Sequence, residues 1–340
     1  MREGFNTQIE GNVGSQGPFG FACDSVAFRE NVHPVSRVLC RICHPLAIAA
    51  LLIGALGVAR ADASSHGLAY WRSLKQQDFK LPPETPALPL AIEATELLGS
   101  TDPELRDEIA YEAFVAWVYR DQRLAPAELN QLRVILVRNA VYRLGDIEDD
   151  SLFLRSFSIL VLSVLAAQDL KAPFLDARAF SDLVDLGAHS LTDERDLRGY
   201  VPQKGWGHAT AHGADLLKFL ARSPRLSLEQ QTLMVEAIAH RLQTAGRVFT
   251  WGEDARLAYA LAALAQRPDA DPSPFKEWFS AVHQQHAKVS SGKFIPSLYV
   301  RERAQLNTFS ELSADLEAET TGTGTQDIRT GLRALRAATR

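Results

Sequence analysis

Residues 157–165 read FSILVLSVL, an apolar stretch interrupted only by Ser158 and Ser163. A helix with apolar side chains around its whole circumference is buried, because no face is left for water. The stretch lies within a segment, from about 150 to 168, that has the length of a globular helix. We therefore predict a buried central helix, with the rest of the protein packed around it.

Helical patterns continue on both sides of this segment. Thr101-Asp102-Pro103-Glu104 combines a capping residue, an early proline and an acid, and it opens a helix through about Arg120. Pro126 opens the next helix, which ends near Gly145. Further helices are predicted at about 176–190, 206–221, 227–244, 252–266, 273–288 and 297–317.

Strand patterns are scarce, and Pro, Gly or Ser marks the short connections between helices. These observations predict an all-α fold, in which antiparallel helical hairpins stack as a HEAT-like α-solenoid or a helical toroid. A packed bundle is the alternative, since no strict repeat recurs at one period.

The composition excludes several classes of protein. Of 340 residues, 46% are hydrophobic and 23% charged, which is typical of a globular chain. The formal charge of −5 gives no reason to expect nucleic-acid binding. All cysteines precede residue 44, so the rest of the chain has no disulfide, zinc–thiolate site or cysteine nucleophile.

An export signal is predicted near the start. Residues 46–59 read LAIAALLIGALGVA, follow Arg37 and Arg41, and precede an A-x-A pattern. Cleavage is expected after Ala61 or Ala63, which would place the protein in the periplasm or outside the cell. An uncleaved inner-membrane anchor is the alternative, and only this segment would then contact a membrane. The long stretch before the signal suggests a translation start further downstream.

Four regions follow from these patterns. We expect an N-terminal extension with the signal peptide, a poorly structured proline-rich linker, a helical-repeat domain and a flexible C-terminal tail rich in Thr and Gly. Their predicted bounds are 1–63, 64–87, 88–317 and 318–340.

A haem motif lies within the predicted signal. Cys40, Cys43 and His44 match the C-x-x-C-H pattern of haem attachment. Because the apolar run begins two residues later, we interpret the motif as the basic end of the signal. No haem is therefore expected.

Residues 206–217, WGHATAHGADLL, contain the strongest candidate site. His208, His212 and Asp215 have the spacing i, i+4, i+7, which places them on one face of a helix. Two imidazoles one turn apart can bind one divalent metal, and the aspartate could ligate it or orient a ring. The H-E-x-x-H pattern of zinc proteases is absent. A polar face that only caps neighbouring loops is the alternative.

Two neighbouring segments could complete this site. The charged loop 193–206 precedes the helix, and Arg198 and Trp206 within it are candidate ligand-binding residues. Glu253 and Asp254 begin a later helix, where acids are favoured by the helix dipole alone. Glu253 is the candidate general base and Asp254 a candidate ligand-binding residue.

The motif RGYV (198–201), followed by Gly205-Trp206-x-His208-x3-His212-Gly213-Ala214-Asp215, resembles the central signature of a bacterial family, domain of unknown function 2785. Gly252-Glu253-Asp254-x-Arg256-Leu257 and Arg155-Ser156-Phe157-Ser158 resemble two further blocks of that family. The resemblance covers roughly residues 90–315. It implies a HEAT-like helical domain and supplies no catalytic residue or assigned activity.

The sequence therefore predicts an exported helical protein of unknown activity with a polar site for a divalent metal or a small ligand. If the protein is an enzyme, metal-assisted hydrolysis is the reaction to test first. The alternative is a non-catalytic helical scaffold that binds a protein or peptide partner.

Overall fold

The computed structural model describes residues 66–317 and 323–339, and most of these residues are helical. The described residues from Ala69 onward belong to one compact unit. The all-α prediction is confirmed for the described residues. The helices are α1 (Leu68–Gln76), α2 (Ala87–Leu97), α3 (Glu104–Tyr111, Glu112–Phe114 and Val115–Arg120), α4 (Pro126–Ala140), α5 (Ser151–Lys171), α6 (Ala177–Thr192), α7 (Ala209–Ala221), α8 (Leu228–Thr244), α9 (Glu253–Ala265), α10 (Ser273–Ser291), α11 (Pro296–Glu317) and α12 (Thr323–Ala338).

Local signals explain where several helices begin. The Asp176 side chain accepts a hydrogen bond from the Ala179 amide at 2.7 Å and caps α6. Ser227 and Gln230 form a reciprocal capping box at the start of α8. These bonds satisfy amide groups that have no partner within the helix.

Helix α5 is buried along nearly its whole length, as its uniform apolarity predicts. It is also the one helix of the described residues that is long and apolar enough to cross a membrane. Protein surrounds it here, since 89% of its most apolar window is buried. Its neighbours α3, α4 and α7 cover it.

Alternate helices pack in two rows. In one row, α3, α5, α7, α9 and α11 contact each other in series. In the other row, α6 contacts α8, α8 contacts α10, and α10 contacts α12. The row with α5, α7 and α9 carries most of the candidate site residues.

Helix α3 is wound more widely than an ordinary α-helix. Its segments Glu104–Tyr111 and Val115–Arg120 are π-helical, and the turn Glu112–Phe114 between them is α-helical. The capping pattern predicted a helix here, but nothing in it distinguished this winding.

Two segments differ from the sequence-based expectation. Part of the linker 64–87 forms α1, whose Trp71 is buried, and part of the tail 318–340 forms α12. Helix α12 buries Ile328, Leu332 and Leu335 against α10 and α11. Both segments are helical because their apolar side chains pack against other parts of the protein: Trp71 contacts Trp117, and the apolar side chains of α12 contact α10 and α11. The content of Pro, Gly and Thr within each segment does not predict these contacts.

Several predictions lie outside the described residues. They are the export signal with its cleavage after Ala61 or Ala63, and the haem-like motif at Cys40, Cys43 and His44.

Candidate functional site

A tight hairpin occupies much of the charged loop before α7. Strands β1 (Tyr200–Val201) and β2 (Gly205–Trp206) pair antiparallel, with Tyr200 opposite Trp206. Gln203 takes a positive φ of 66° in the turn. The pairing brings two aromatic side chains together, with ring centroids 5.2 Å apart.

Buried Arg106 on α3 attaches this hairpin to the helices. Its Nη2 donates to the Lys204 carbonyl at 2.8 Å, and its Nη1 donates to the Ser100 carbonyl at 2.7 Å. The guanidinium also lies 4.2 Å from the Phe153 ring centroid on α5. Sequence reasoning missed Arg106, because an arginine within a helix is usually a surface residue.

His208 precedes α7 instead of lying within it. The helix begins at Ala209, and His208 has a left-handed backbone with φ 55°. Its amide donates to the Arg198 carbonyl at 2.9 Å, which turns the chain away from the hairpin and into the helix. The prediction that His208 and His212 lie one turn apart within a helix is corrected accordingly. Their rings still lie close, with centroids 5.8 Å apart.

The His208 ring is held by two contacts. It stacks on Trp206 with centroids 4.7 Å apart, and its Nε2 lies 2.9 Å from the Trp251 carbonyl oxygen. A carbonyl only accepts, so the proton is on Nε2. Burial and the nearby Arg256 cation lower the pKa of His208 to about 4. The ring is therefore neutral at pH 7, with its lone pair on Nδ1.

His212 ties α7 to α5. Its Nδ1 lies 2.7 Å from Ser156 Oγ and 3.2 Å from the Ser156 carbonyl oxygen. Because the Ser156 hydroxyl donates to the Gly207 carbonyl, His212 donates from Nδ1 to both oxygens. Because Nδ1 already carries a proton, it cannot accept the proton of the Ser156 hydroxyl. Burial, followed by His208 and Arg256, holds the pKa of His212 well below its usual range.

The carboxylate of Asp215 contacts two cationic side chains, those of Arg256 and Lys218. Its Oδ2 forms an ion pair with Arg256 Nη1, and its Oδ1 lies 3.7 Å from Lys218 Nζ. In 66–317 and 323–339, no three His, Cys, Asp or Glu side chains converge to hold a metal. A carboxylate between two cations has little charge left for a metal. The predicted set of His208, His212 and Asp215 therefore does not fit a metal centre.

The charged loop is largely paired within itself and to α5. Arg198 forms a bidentate bond to Asp196 at 2.7–3.0 Å and donates to the Asp149 carbonyl. Lys204 pairs with Asp150 at 2.6 Å. Arg198, predicted to bind a ligand, instead fixes the chain ahead of the hairpin.

Glu253 and Asp254 begin α9 with both side chains buried. Glu253 Oε2 accepts from the Trp251 amide at 2.9 Å, and Oε1 lies 3.9 Å from His208 Nε2. Burial raises the pKa of Glu253, and burial raises that of Asp254 to about 6. Asp254 Oδ2 has no hydrogen-bond partner. Burial, Asp315 and Asp254 together raise the pKa of Glu311 on α11 to about 7.

A cleft opens beside Glu253. Its volume is 430 Å³, and Trp251 and Glu253 lie in its wall together with the preceding loop. Trp251 and Glu253 pack directly against Gly199, where only glycine fits. A Cβ at this position would lie 2.3 Å from the Trp251 ring and 2.8 Å from Glu253 Oε1. We call this space the cleft; its lining is Leu197, Gly246, Arg247, Val248, Phe249, Thr250, Trp251 and Glu253.

Aromatic side chains border the cleft at the surface. Trp251 is 50% exposed and Tyr200 is 46% exposed, with ring centroids 5.8 Å apart. Trp206 contacts both and covers His208. We call Tyr200, Trp206 and Trp251 the aromatic group. Exposed aromatic side chains next to a cleft are typical of a binding surface.

This arrangement can be compared with known proteins. A family model described as "Protein of unknown function (DUF2785)" matches residues 141–306, which include the hairpin, both histidines and the start of α9. The central segment matches DUF2785. No curated protein and no solved structure matches the chain.

The match supports the resemblance seen in the sequence over the DUF2785 segment, although not over its full predicted extent of 90–315. All three motifs, around Arg155, His208 and Glu253, fall inside the matched region. In the structure the three motifs lie together. Ser156 is hydrogen-bonded to His212, the His212 ring lies next to the His208 ring, and His208 is hydrogen-bonded to the Trp251 carbonyl.

A pH dependence follows from His208 within the DUF2785 segment. A histidine with a folded pKa near 4 and an unfolded pKa near 6.5 binds a proton more tightly when unfolded. Its contribution to stability is therefore complete above pH 6.5 and is lost as the pH falls toward 4. We expect His208→Asn, which tolerates left-handed backbone, to remove about 2–3 kcal/mol of the stability change between pH 7 and 4.5.

Urea unfolding at both pH values measures this effect. The matched control is His283→Asn, at an exposed position on α10. An unchanged pH slope in His208→Asn would show that the ring is not held neutral.

Proposed function

We propose that the protein binds a small organic ligand in the cleft beside Glu253. One observation carries the proposal: a buried carboxylate and a half-exposed tryptophan line the same 430 Å³ space. That volume falls within the usual range for small-molecule sites, about 300–1,000 Å³. Such sites combine apolar walls with a few fixed polar groups.

The surrounding contacts support a rigid, pre-formed site. Trp251 is fixed through both backbone groups, since its amide donates to Glu253 and its carbonyl accepts from His208. His208 is itself fixed by stacking on Trp206. A wall held in this way loses little conformational freedom when a ligand binds.

Four of the predicted site residues, Arg198, Trp206, His208 and Glu253, have a proposed part in this function. Glu253 provides the polar contact and Trp251 the stacking surface. Trp206 and His208 support Trp251 from behind, and Arg198 holds the hairpin through Asp196. We propose no metal, since the described residues do not assemble one.

A protein or peptide partner is the second candidate. The exposure of Tyr200 and Trp251 at one surface favours it, because tyrosine and tryptophan are enriched at interfaces. A partner would cover the aromatic group, whereas a small ligand would enter the cleft and contact Glu253.

We also propose the helical architecture, the family and the cellular location of the protein. The two rows of helices support a HEAT-like α-solenoid or toroid, built from α-hairpins. The DUF2785 match supports membership of the chain in that family. The apolar run at 46–59 supports export to the periplasm or beyond, by cleavage after Ala61 or Ala63.

Ligand screening by thermal shift tests the proposal. The purified protein is screened with small metabolites and divalent metals, and each stabilising compound is titrated into Trp251→Ala and Glu253→Gln. We expect both changes to weaken binding by about tenfold or more. Tyr299→Ala, an equally exposed aromatic side chain on α11, should leave binding unchanged.

Two outcomes would contradict the proposal. One is a screen without any stabilising compound, and the other is a compound that binds both cleft variants as well as the parent. Capture of a peptide that depends on Trp251 and Tyr200 but not on Glu253 would favour the second candidate.

A further inference from the structure

The charge of Glu253 is not balanced by the histidine beside it. His208 Nε2 is 3.9 Å from the carboxylate, but the ring is neutral at pH 7, as its pKa is about 4. The carboxylate also accepts hydrogen bonds from the Trp251 amide and from its own amide, and neither donor carries a net charge. A negative group thus lies in a buried wall of the cleft.

Arg247 is the cation in the lining of the cleft. Its Nη1 donates to the Leu197 carbonyl at 3.2 Å, and its charge lowers the pKa of Glu253 less than burial raises it. Asp254, the next residue of α9, adds a second buried carboxylate with an unpartnered oxygen. The start of α9 is therefore negative overall despite Arg247.

The aromatic group contributes negative potential of a different kind. The faces of tryptophan and tyrosine rings attract cations through their quadrupoles. Trp251 lines the cleft and Tyr200 lies next to it, with ring centroids 5.8 Å apart, and each side chain is about half exposed. A quaternary or substituted ammonium group is weakly hydrated and is the cation that such faces recognise best.

We propose that the ligand of the cleft carries a substituted ammonium group, which packs against Trp251 and Tyr200 and pairs with the Glu253 carboxylate. This inference rests on the proposed function and names its ligand class. The ammonium group supplies the charge that the buried carboxylate lacks. Its alkyl substituents cover the exposed rings, so apolar burial adds to the charge interaction.

The test compares choline with 3,3-dimethyl-1-butanol, in which an uncharged carbon replaces the nitrogen. The two molecules have almost the same shape, so their difference in affinity measures the charge alone. We expect isothermal titration calorimetry to show choline binding at least about tenfold tighter. Glu253→Gln should abolish most of this preference while keeping the shape of the wall.

A substitution of Arg247 should change choline affinity in the opposite direction to Glu253→Gln. Arg247→Gln removes the competing cation from the cleft, so choline should bind severalfold more tightly. An anionic ligand would instead lose affinity in this variant. Tyr299→Ala serves again as the control that should change neither result.

The pH profile gives an independent readout. Choline binding requires ionised Glu253, and burial raises the pKa of that group, so affinity should fall with pH earlier than for an exposed glutamate. The titratable and charged groups near it are His208, which is neutral at pH 7, Arg247 and Asp254. Protonation of His208 or Asp254 at lower pH acts in the same direction, because each makes the wall less negative.

The possible results separate this inference from the proposed function. If the uncharged analogue binds as tightly as choline, the ammonium group is wrong and binding in the cleft stands. The same holds if only anionic compounds bind and Arg247→Gln weakens them. If no compound of any charge depends on Glu253 and Trp251, both proposals fail.

Discussion

Glu194→Ala is expected to lower the free energy of unfolding by about 3–5 kcal/mol, the usual cost of removing one partner from a buried ion pair. Arg155 Nε donates to Glu194 Oε2 at 2.6 Å, and Nη2 donates to Oε1 at 3.2 Å. Both side chains are almost completely buried. Glu194 Oε1 also accepts the amides of Arg195 and Asp196, each at 2.9 Å. The substitution therefore leaves a buried cation and frees the loop before the hairpin.

Urea unfolding followed by circular dichroism measures this loss. Glu194→Gln keeps the size and the amide bonds, so it should lose less than Glu194→Ala. The double variant Arg155→Met/Glu194→Leu should recover only part of the stability, because it removes the unpaired cation but leaves the amides of Arg195 and Asp196 without their acceptor. A loss below about 1 kcal/mol in Glu194→Ala would show that the pair is exposed to solvent in solution.

Asp215→Ala is expected to destabilise the protein by about 3 kcal/mol, toward the lower end for a buried pair because Arg256 is partly exposed. The change removes the carboxylate that pairs with Arg256 Nη1 and lies 3.7 Å from Lys218 Nζ. Positive charge then remains between α7 and α9 without its principal counter-ion. Equilibrium unfolding in urea again measures the effect.

A surface ion pair gives the matched control for Asp215. Asp182→Ala removes the partner of Arg178 on the outside of α6, at 3.8 Å, and should cost less than about 1 kcal/mol. If Asp215 bound a metal, divalent cations would stabilise the parent and not the variant. We expect no such difference, and finding one would restore the metal site predicted from the histidine spacing.

The helices could be predicted because their signals are local. The apolar circumference of α5 and the caps of α6 and α8 lie within single segments of chain. By contrast, α1 and α12 depend on partners elsewhere, since Trp71 and Leu332 are buried by other helices. Their own composition, rich in polar or small residues, does not show this.

The sequence pattern predicted which residues of the candidate site lie close together, but not how their side chains are arranged. Spacing predicted that His208 and His212 lie near each other, and the expected neighbouring position of the next hairpin placed Glu253 in the same region. The left-handed backbone of His208 depends on the Arg198 carbonyl, and its ring depends on the Trp251 carbonyl. Such bonds between distant segments leave no periodic trace in the sequence.

The anchoring of the hairpin by Arg106 has a consequence for the order in which the protein forms. The bond from Arg106 to the Lys204 carbonyl joins residues 98 positions apart. The bond from His208 reaches a further 43 positions, to Trp251. During synthesis from the N-terminus, the Arg106 contact can form only after the hairpin has been made, and the His208 ring contact only after Trp251 has been made. A nascent chain that stops before residue 251 holds both histidines but lacks Trp251 and Glu253, the two residues on which the proposed ligand site depends.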